Sequence, residues 1–217
     1  MSITMLKLNN IRLVTEQRTL LDNFSLVINP GEVVSLMGPS GCGKSTLLAY
    51  ISGALADEID ATGSIKINHQ EISQLPMEQR HVGLLFQDDL LFPHMSIAGN
   101  LAFALPWGLN KKTRQERVDK ALAQVGLAGH GHMRPEQLSG GQRARISLMR
   151  TLLAEPKALL LDEPFSKLDS HLRIQIRDFV FRTIKERNIP ALLVTHDQQD
   201  CGQRIIQFSA PEATSTL

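Results

Sequence analysis

Eight residues, Gly38-Pro39-Ser40-Gly41-Cys42-Gly43-Lys44-Ser45, match the pattern Gly-x-x-x-x-Gly-Lys-Ser/Thr in full. The glycines let successive backbone N–H groups turn inward around phosphate oxygens, and a helix opening at the loop adds its positive dipole end. Lys44 has the reach to meet β- and γ-phosphates, and the Ser45 hydroxyl suits Mg²⁺. Such a loop alone implies a nucleoside triphosphate and leaves the reaction open. A second group narrows it. Ala158-Leu159-Leu160-Leu161 is an apolar run that ends in two carboxylates, Asp162 and Glu163. A buried parallel strand presents ligand-binding residues at its carboxyl end. There Asp162 would hold Mg²⁺ through water, and Glu163 would polarise a water that attacks the γ-phosphate.

These residues need a scaffold. Val33 to Met37 is a buried strand leading into the loop, and the run from Ser45 through Ile51 opens a helix after it. Met5 to Leu8, Leu20 to Ile28, Gly63 to Ile67 and His81 to Phe86 are further strand-like pieces, and Asn29-Pro30-Gly31-Glu32 is a turn. From Ser96 to about Leu153 the pattern is helical. One amphipathic run opens at Asn110 and closes at Gly126. Strand and helix then alternate: Ala158 to Leu161, Ser170 to Arg187, Ala191 to Val194. The expected fold is α/β, a mainly parallel sheet core with an antiparallel β subdomain at the N-terminus and an inserted helical lobe. The expected domain is 1–208, with its core at 1–87 and 154–208 and the lobe at about 88–153; 209–217 is expected to be a polar, frayed tail.

The 217 residues carry a net charge of +1, with 42% hydrophobic and 21% charged residues. A chain this long buries a core without disulfides or metals. The charge gives no reason to expect a nucleic acid partner. Two cysteines far apart, Cys42 and Cys201, are no disulfide framework and suit a reducing cytosol. The first residues lack the layout of a signal peptide, and no apolar run reaches the ~18–20 residues that cross a bilayer. A protein of this kind that works at a membrane must dock on something already there.

Leu138-Ser139-Gly140-Gly141-Gln142 resembles the signature motif of the ABC ATPases. The resemblance covers nearly the whole chain, with motifs in the family's order: the phosphate loop, Gln87, Leu138 to Gln142, Asp162-Glu163, Ser166-Lys167-Leu168-Asp169 and His196. It implies a P-loop NTPase that hydrolyses ATP with Mg²⁺. Nucleotide contacts would run from Gly38 through Pro39, Ser40, Gly41, Cys42, Gly43, Lys44 and Ser45 to Thr46. Gln87 resembles the glutamine that contacts Mg²⁺ and water, and His196 the switch histidine at the γ-phosphate. Ser139, Gly140, Gly141 and Gln142 would close on the nucleotide of a second copy, giving a head-to-tail homodimer with two shared ATP sites. Asp169 resembles the residue that crosses this dimer; it is also placed to cap the helix from Ser170. Cys42 needs no role beyond filling space.

The segment from Phe92 to Leu101 resembles the part with which bacterial importer ATPases grip their permease. Implied partners are an integral membrane permease and, through it, an extracytoplasmic substrate-binding protein. The implied location is peripheral, on the cytoplasmic face of the inner membrane. An exporter motor and a soluble non-transport ATPase are the alternatives. The chain ends soon after His196 and is expected to lack the regulatory domain of some relatives. The basic stretch Lys111 to Arg117 is expected as a solvated helix face. The hairpin before the phosphate loop departs from the family. The position that usually stacks an aromatic ring on adenine falls near Thr15, and no Phe, Tyr or Trp precedes Phe24, which reads as core. Weaker nucleotide binding, or poorer discrimination of ATP from GTP, is expected.

Overall fold

The computed structural model describes residues 4–208; the tail expected at 209–217 lies outside them. β1 (Leu6–Thr15), β2 (Thr19–Ile28) and β3 (Val33–Met37) lead into α1 (Lys44–Ser52), followed by β4 (Ile59–Ile67), β5 (Gln70–Glu71) and β6 (Val82–Leu85). Next come α2 (Ile97–Phe103), α3 (Lys111–Gln124) and α4 (Gly140–Leu153), then β7 (Ala158–Asp162), α5 (Ser170–Arg187), β8 (Ala191–Val194) and β9 (Arg204–Gln207). The chain divides into two compact units. The first runs up to Leu84 and adds Lys157–Glu163 and the chain from Phe181 onward; the second takes Leu85–Pro156 and Pro164–Val180.

In the first unit, one sheet has the order β2-β1-β4-β5 and the other β6-β7-β8-β3-β9. The β1–β2 and β1–β4 pairs are antiparallel. β1 is longer than the sequence pattern suggests. Leu6, Leu8, Ile11 and Leu13 are all fully buried, so the inward phase shifts by one residue between Leu8 and Ile11. Asn10, with φ 48°, sits in that shift, and the register with β2 breaks there. A bulge of this kind keeps a strand on its sheet while interrupting the two-residue alternation. In the second sheet β7–β8, β8–β3 and β3–β9 are parallel. Val34 and Leu36, Ala158 to Leu161, and Ala191 to Leu193 are 0% exposed, the continuous burial of a sheet covered on both faces. Register pairs Leu36 with Val194 and Asp162 with Val194, so β3, β8 and β7 end level. The edge strand β9 is absent from the sequence-level picture because Arg204-Ile205-Ile206-Gln207 is short and largely exposed.

The second unit is built on helices. Ser96 caps α2 by accepting from the Gly99 N–H at 3.1 Å, and Asn110 caps α3 by accepting from Thr113 at 2.9 Å. Gly126 follows α3 with φ 75°, as a helix-ending glycine does. Asn100 is fully buried. Its side chain accepts from the Phe92 N–H at 2.8 Å and donates to the Phe92 and Ser96 carbonyls at 3.1 Å, pinning the loop ahead of α2. The basic stretch is only partly a solvated face. Lys111 and Lys112 are exposed, but Arg114 donates to the Pro106 and Ala102 carbonyls and Arg117 pairs with Glu155 at 2.5 Å.

Candidate active site

The loop after β3 turns directly into α1. Gly43 holds φ 98°, a left-handed conformation that other residues adopt only with strain, and no side chain caps the helix. The first-turn N–H groups of α1 are therefore left for an anion, on the favourable side of the helix dipole. Lys44 is 7% exposed. Its ammonium donates to the Gly38 carbonyl at 2.8 Å and the Pro39 carbonyl at 2.7 Å, so the lysine is folded back along the loop. Cys42 is 3% exposed and packs into the core, in keeping with a space-filling role.

Asp162 ends β7, and its Oδ1 accepts from the Ser45 hydroxyl at 3.3 Å. Burial pushes the Asp162 carboxyl above its usual range; the Ser45 hydrogen bond and the Lys44 charge oppose this, and the charge of Glu163 adds to it. Glu163 has φ 46°, a strained conformation for a residue with a Cβ. It is held by its N–H donating to the Val194 carbonyl of β8 at 3.0 Å. The Glu163 carboxylate then lies 3.2 Å from His196 Nδ1, just beyond the end of β8. The phosphate loop, the carboxylate pair and the histidine thus come from the level ends of three neighbouring strands.

Mg²⁺ fits this donor set. A hydroxyl and a half-buried carboxylate share a hydrogen bond, and both are the hard oxygen ligands the ion takes. Among the described residues no group of three or more His, Cys, Asp or Glu side chains could hold a metal unaided. Mg²⁺ usually takes only one or two carboxylates and completes its shell with phosphate oxygens and water.

A cavity of about 720 Å³ opens beside the loop. Ser40, Gly41, Gly43, Lys44, Ser45, Thr46 and Glu163 line one part of it; Thr15, Glu16, Gln17, Arg18, Leu20, Glu58, Ile59 and Val194 line the rest. None of these residues is aromatic. Thr15 closes the β1–β2 hairpin, its hydroxyl donating to the Arg18 carbonyl at 3.1 Å and accepting from the Arg18 N–H at 3.2 Å. Phe24 meets Phe208 edge-on at 5.6 Å and packs against the core. The sequence pattern did not single out Arg18, whose guanidinium donates to the Gly41 carbonyl at 2.8 Å. A cation at a hairpin tip carries no signal until the tip is seen beside the loop.

Gln87, Ser139 to Gln142 and Asp169 belong to the second unit. Gln87 is exposed just past β6. Ser139 caps α4, its hydroxyl accepting from the Gln142 N–H at 3.3 Å while the Gln142 side chain accepts from the Ser139 N–H at 2.9 Å. This reciprocal box spends the Gln142 amide oxygen on the helix end. A Cβ on Gly141 would lie 2.4 Å from Leu172 Cδ1, so α4 and the start of α5 meet there closely enough that a larger residue would have to displace the Leu172 side chain. Asp169 does cap α5, accepting from the Leu172 N–H at 3.0 Å.

A parallel sheet with a phosphate loop after one strand and a carboxylate pair after another defines a P-loop nucleoside triphosphatase. The chain belongs to the ABC transporter family, whose sequence profile matches residues 21–166, and within that family it is an ATPase. It is similar to an uncharacterised ABC transporter ATP-binding protein of Escherichia coli K12, YnjD, with 50% identity over 196 residues and 90% of each chain covered. It is also 42% identical to an Fe(3+) ions import ATP-binding protein, FbpC, of Agrobacterium fabrum, across 94% of this chain and 58% of that one. Identity is 43% with a spermidine/putrescine import ATP-binding protein, PotA, of Pseudomonas aeruginosa, across 98% of this chain and 61% of that one. The chain thus spans roughly three-fifths of the length of these two import proteins.

Proposed function

We propose that this chain is the ATP-hydrolysing, energy-coupling subunit of a bacterial importer. The observation that carries the chemistry is the convergence of Lys44, Asp162, Glu163 and His196 from the ends of β3, β7 and β8. Lys44 and the amides of Gly41 to Ser45 hold the phosphates of ATP. Glu163 orients the attacking water and draws its proton, and His196 steadies that carboxylate and meets the γ-phosphate. Ser45, Asp162 and Gln87 would hold Mg²⁺, which would supply positive charge against the phosphate oxygens. Ser139, Gly140, Gly141 and Gln142 of a second copy complete each site, with Asp169 across the same dimer, so the working form is a homodimer. We place the core at 1–87 and 154–208 and the helical lobe at about 88–153, although 85–87, 154–156 and 164–180 fall in the same compact unit as the lobe.

Import as the direction is supported by the import functions that the Fe(3+) and polyamine relatives are named for. No helix among the described residues is long and apolar enough to cross a membrane. The membrane partner in this reading is a permease, gripped through Phe92 to Leu101 at the cytoplasmic face of the inner membrane. A substrate-binding protein delivers cargo to that permease from outside. The test is a pull-down from solubilised native membranes with a tagged Glu163→Gln variant trapped by ATP and Mg²⁺. Co-purification of a multi-spanning permease and a substrate-binding protein is expected. Recovery of soluble partners alone would overturn transport and leave the ATPase standing.

A further inference from the structure

The cavity beside the phosphate loop has no aromatic wall, yet a nucleotide bound by the loop must place its base somewhere. Away from the loop its lining is Leu20 and Ile59, which are apolar, together with Thr15, Glu16, Gln17, Arg18 and Glu58 from the hairpin tip and the start of β4, and Val194. Arg18 is the one cation in that part of the lining. It is also held at both ends. Thr15 fixes its backbone through two hydrogen bonds across the hairpin turn. Its Nη2 donates to the Gly41 carbonyl at 2.8 Å, which ties the guanidinium to the phosphate loop.

A guanidinium hydrogen-bonds through its edge and stacks through its face. Tethering Arg18 by one edge nitrogen leaves the planar face for a π system. We propose that Arg18 is the base platform of this site: the purine ring of the nucleotide stacks on its guanidinium, in place of the missing aromatic ring. This rests on the cavity being the nucleotide site. The tether orders the long side chain beforehand, so less rotamer freedom is lost when the base arrives. Every base has a π face, so such a platform discriminates weakly between adenine and guanine.

The test measures equilibrium binding of ATP, GTP and inorganic tripolyphosphate to the parent protein, Arg18→Ala, and Arg18→Ala combined with Thr15→Tyr. Tripolyphosphate offers the loop its phosphates without a base. Arg18→Ala is expected to weaken ATP and GTP alike by roughly 3- to 30-fold, the range of a cation–π contact at a partly exposed site. Tripolyphosphate affinity is expected to stay within about twofold, the residual effect of a surface polar change. Adding Thr15→Tyr should restore ATP binding through a new ring. Equal loss for tripolyphosphate would show that Arg18 acts only by shaping the loop through Gly41, and unchanged ATP affinity would show that the base lies elsewhere; either overturns the platform. A parent protein that binds neither ATP nor tripolyphosphate would instead sink the nucleotide site itself.

Discussion

Replacing Glu163 by glutamine separates chemistry from binding at this site. The substituted side chain would inherit the same φ of 46°, and the backbone N–H would still donate to Val194 at 3.0 Å. The new amide oxygen can still accept from His196 Nδ1 across the 3.2 Å gap. Lys44 stays on the Gly38 and Pro39 carbonyls, so the phosphate loop keeps its shape. What disappears is a negative charge and the ability to take a proton from water. A positioned general base is worth about 10²- to 10⁴-fold in rate, or ~2.7–5.4 kcal/mol at about 1.36 kcal/mol per tenfold. Losing a negative charge near the phosphates also removes repulsion, so ATP affinity should hold or rise. The assays are phosphate release at saturating ATP and Mg²⁺, and an equilibrium ATP titration. Turnover within about tenfold of the parent would refute the role of Glu163. So would a loss confined to KM with kcat unchanged, which signals lost binding and not lost chemistry.

Two further substitutions probe the neighbouring groups and the lobe. Asp162 has its carboxyl pushed above the ordinary 3.8 by burial, so the folded protein holds that proton more tightly than the unfolded chain. Its contribution to stability is therefore best at low pH and declines as pH rises from that ordinary value through the raised one. Asp162→Asn should raise Tm at neutral pH without nucleotide, with the gain fading in acid, while Mg²⁺-dependent ATP binding is lost; equal Tm values at neutral pH would contradict this. Asn100→Ala removes a fully buried side chain and strips the part-buried Phe92 N–H of its partner, and should cost about 2–4 kcal/mol in urea unfolding. A loss under about 1 kcal/mol would mean the loop ahead of α2 is held by other contacts.

The parts of the fold legible in sequence are those whose signal is local and strong. β3, β8 and α5 begin and end where the residue pattern places them, because uninterrupted apolar runs and clear flanking turns leave little choice. Ser139, Asn110 and Asp169 announce helix starts through side chains that accept backbone N–H bonds. β1 was half hidden because the bulge at Asn9-Asn10 shifts its alternation by one, and β9 because a short exposed edge carries almost no hydropathy signal. In the site, the loop and the acids declare themselves by type and spacing. The left-handed backbone at Glu163 does not, since nothing about a glutamate hints at φ 46° until β8 is seen holding its N–H. Arg18 shares that fate: its reach to Gly41 joins residues 23 positions apart.

The level ending of β3, β7 and β8 makes the gene fragile to a kind of change that composition would not flag. Leu159-Leu160-Leu161 is a run of one residue type, so losing a single leucine codon leaves the hydropathy of β7 almost untouched. The strand would still bury itself between β6 and β8. Yet everything after the gap would be drawn back by one residue, about 3.3 Å, and turned to the opposite face of the sheet. Asp162 would leave the Ser45 hydroxyl, and Glu163 would leave both Val194 and His196. An in-frame deletion that reads as silent would so uncouple a well-folded motor from its fuel.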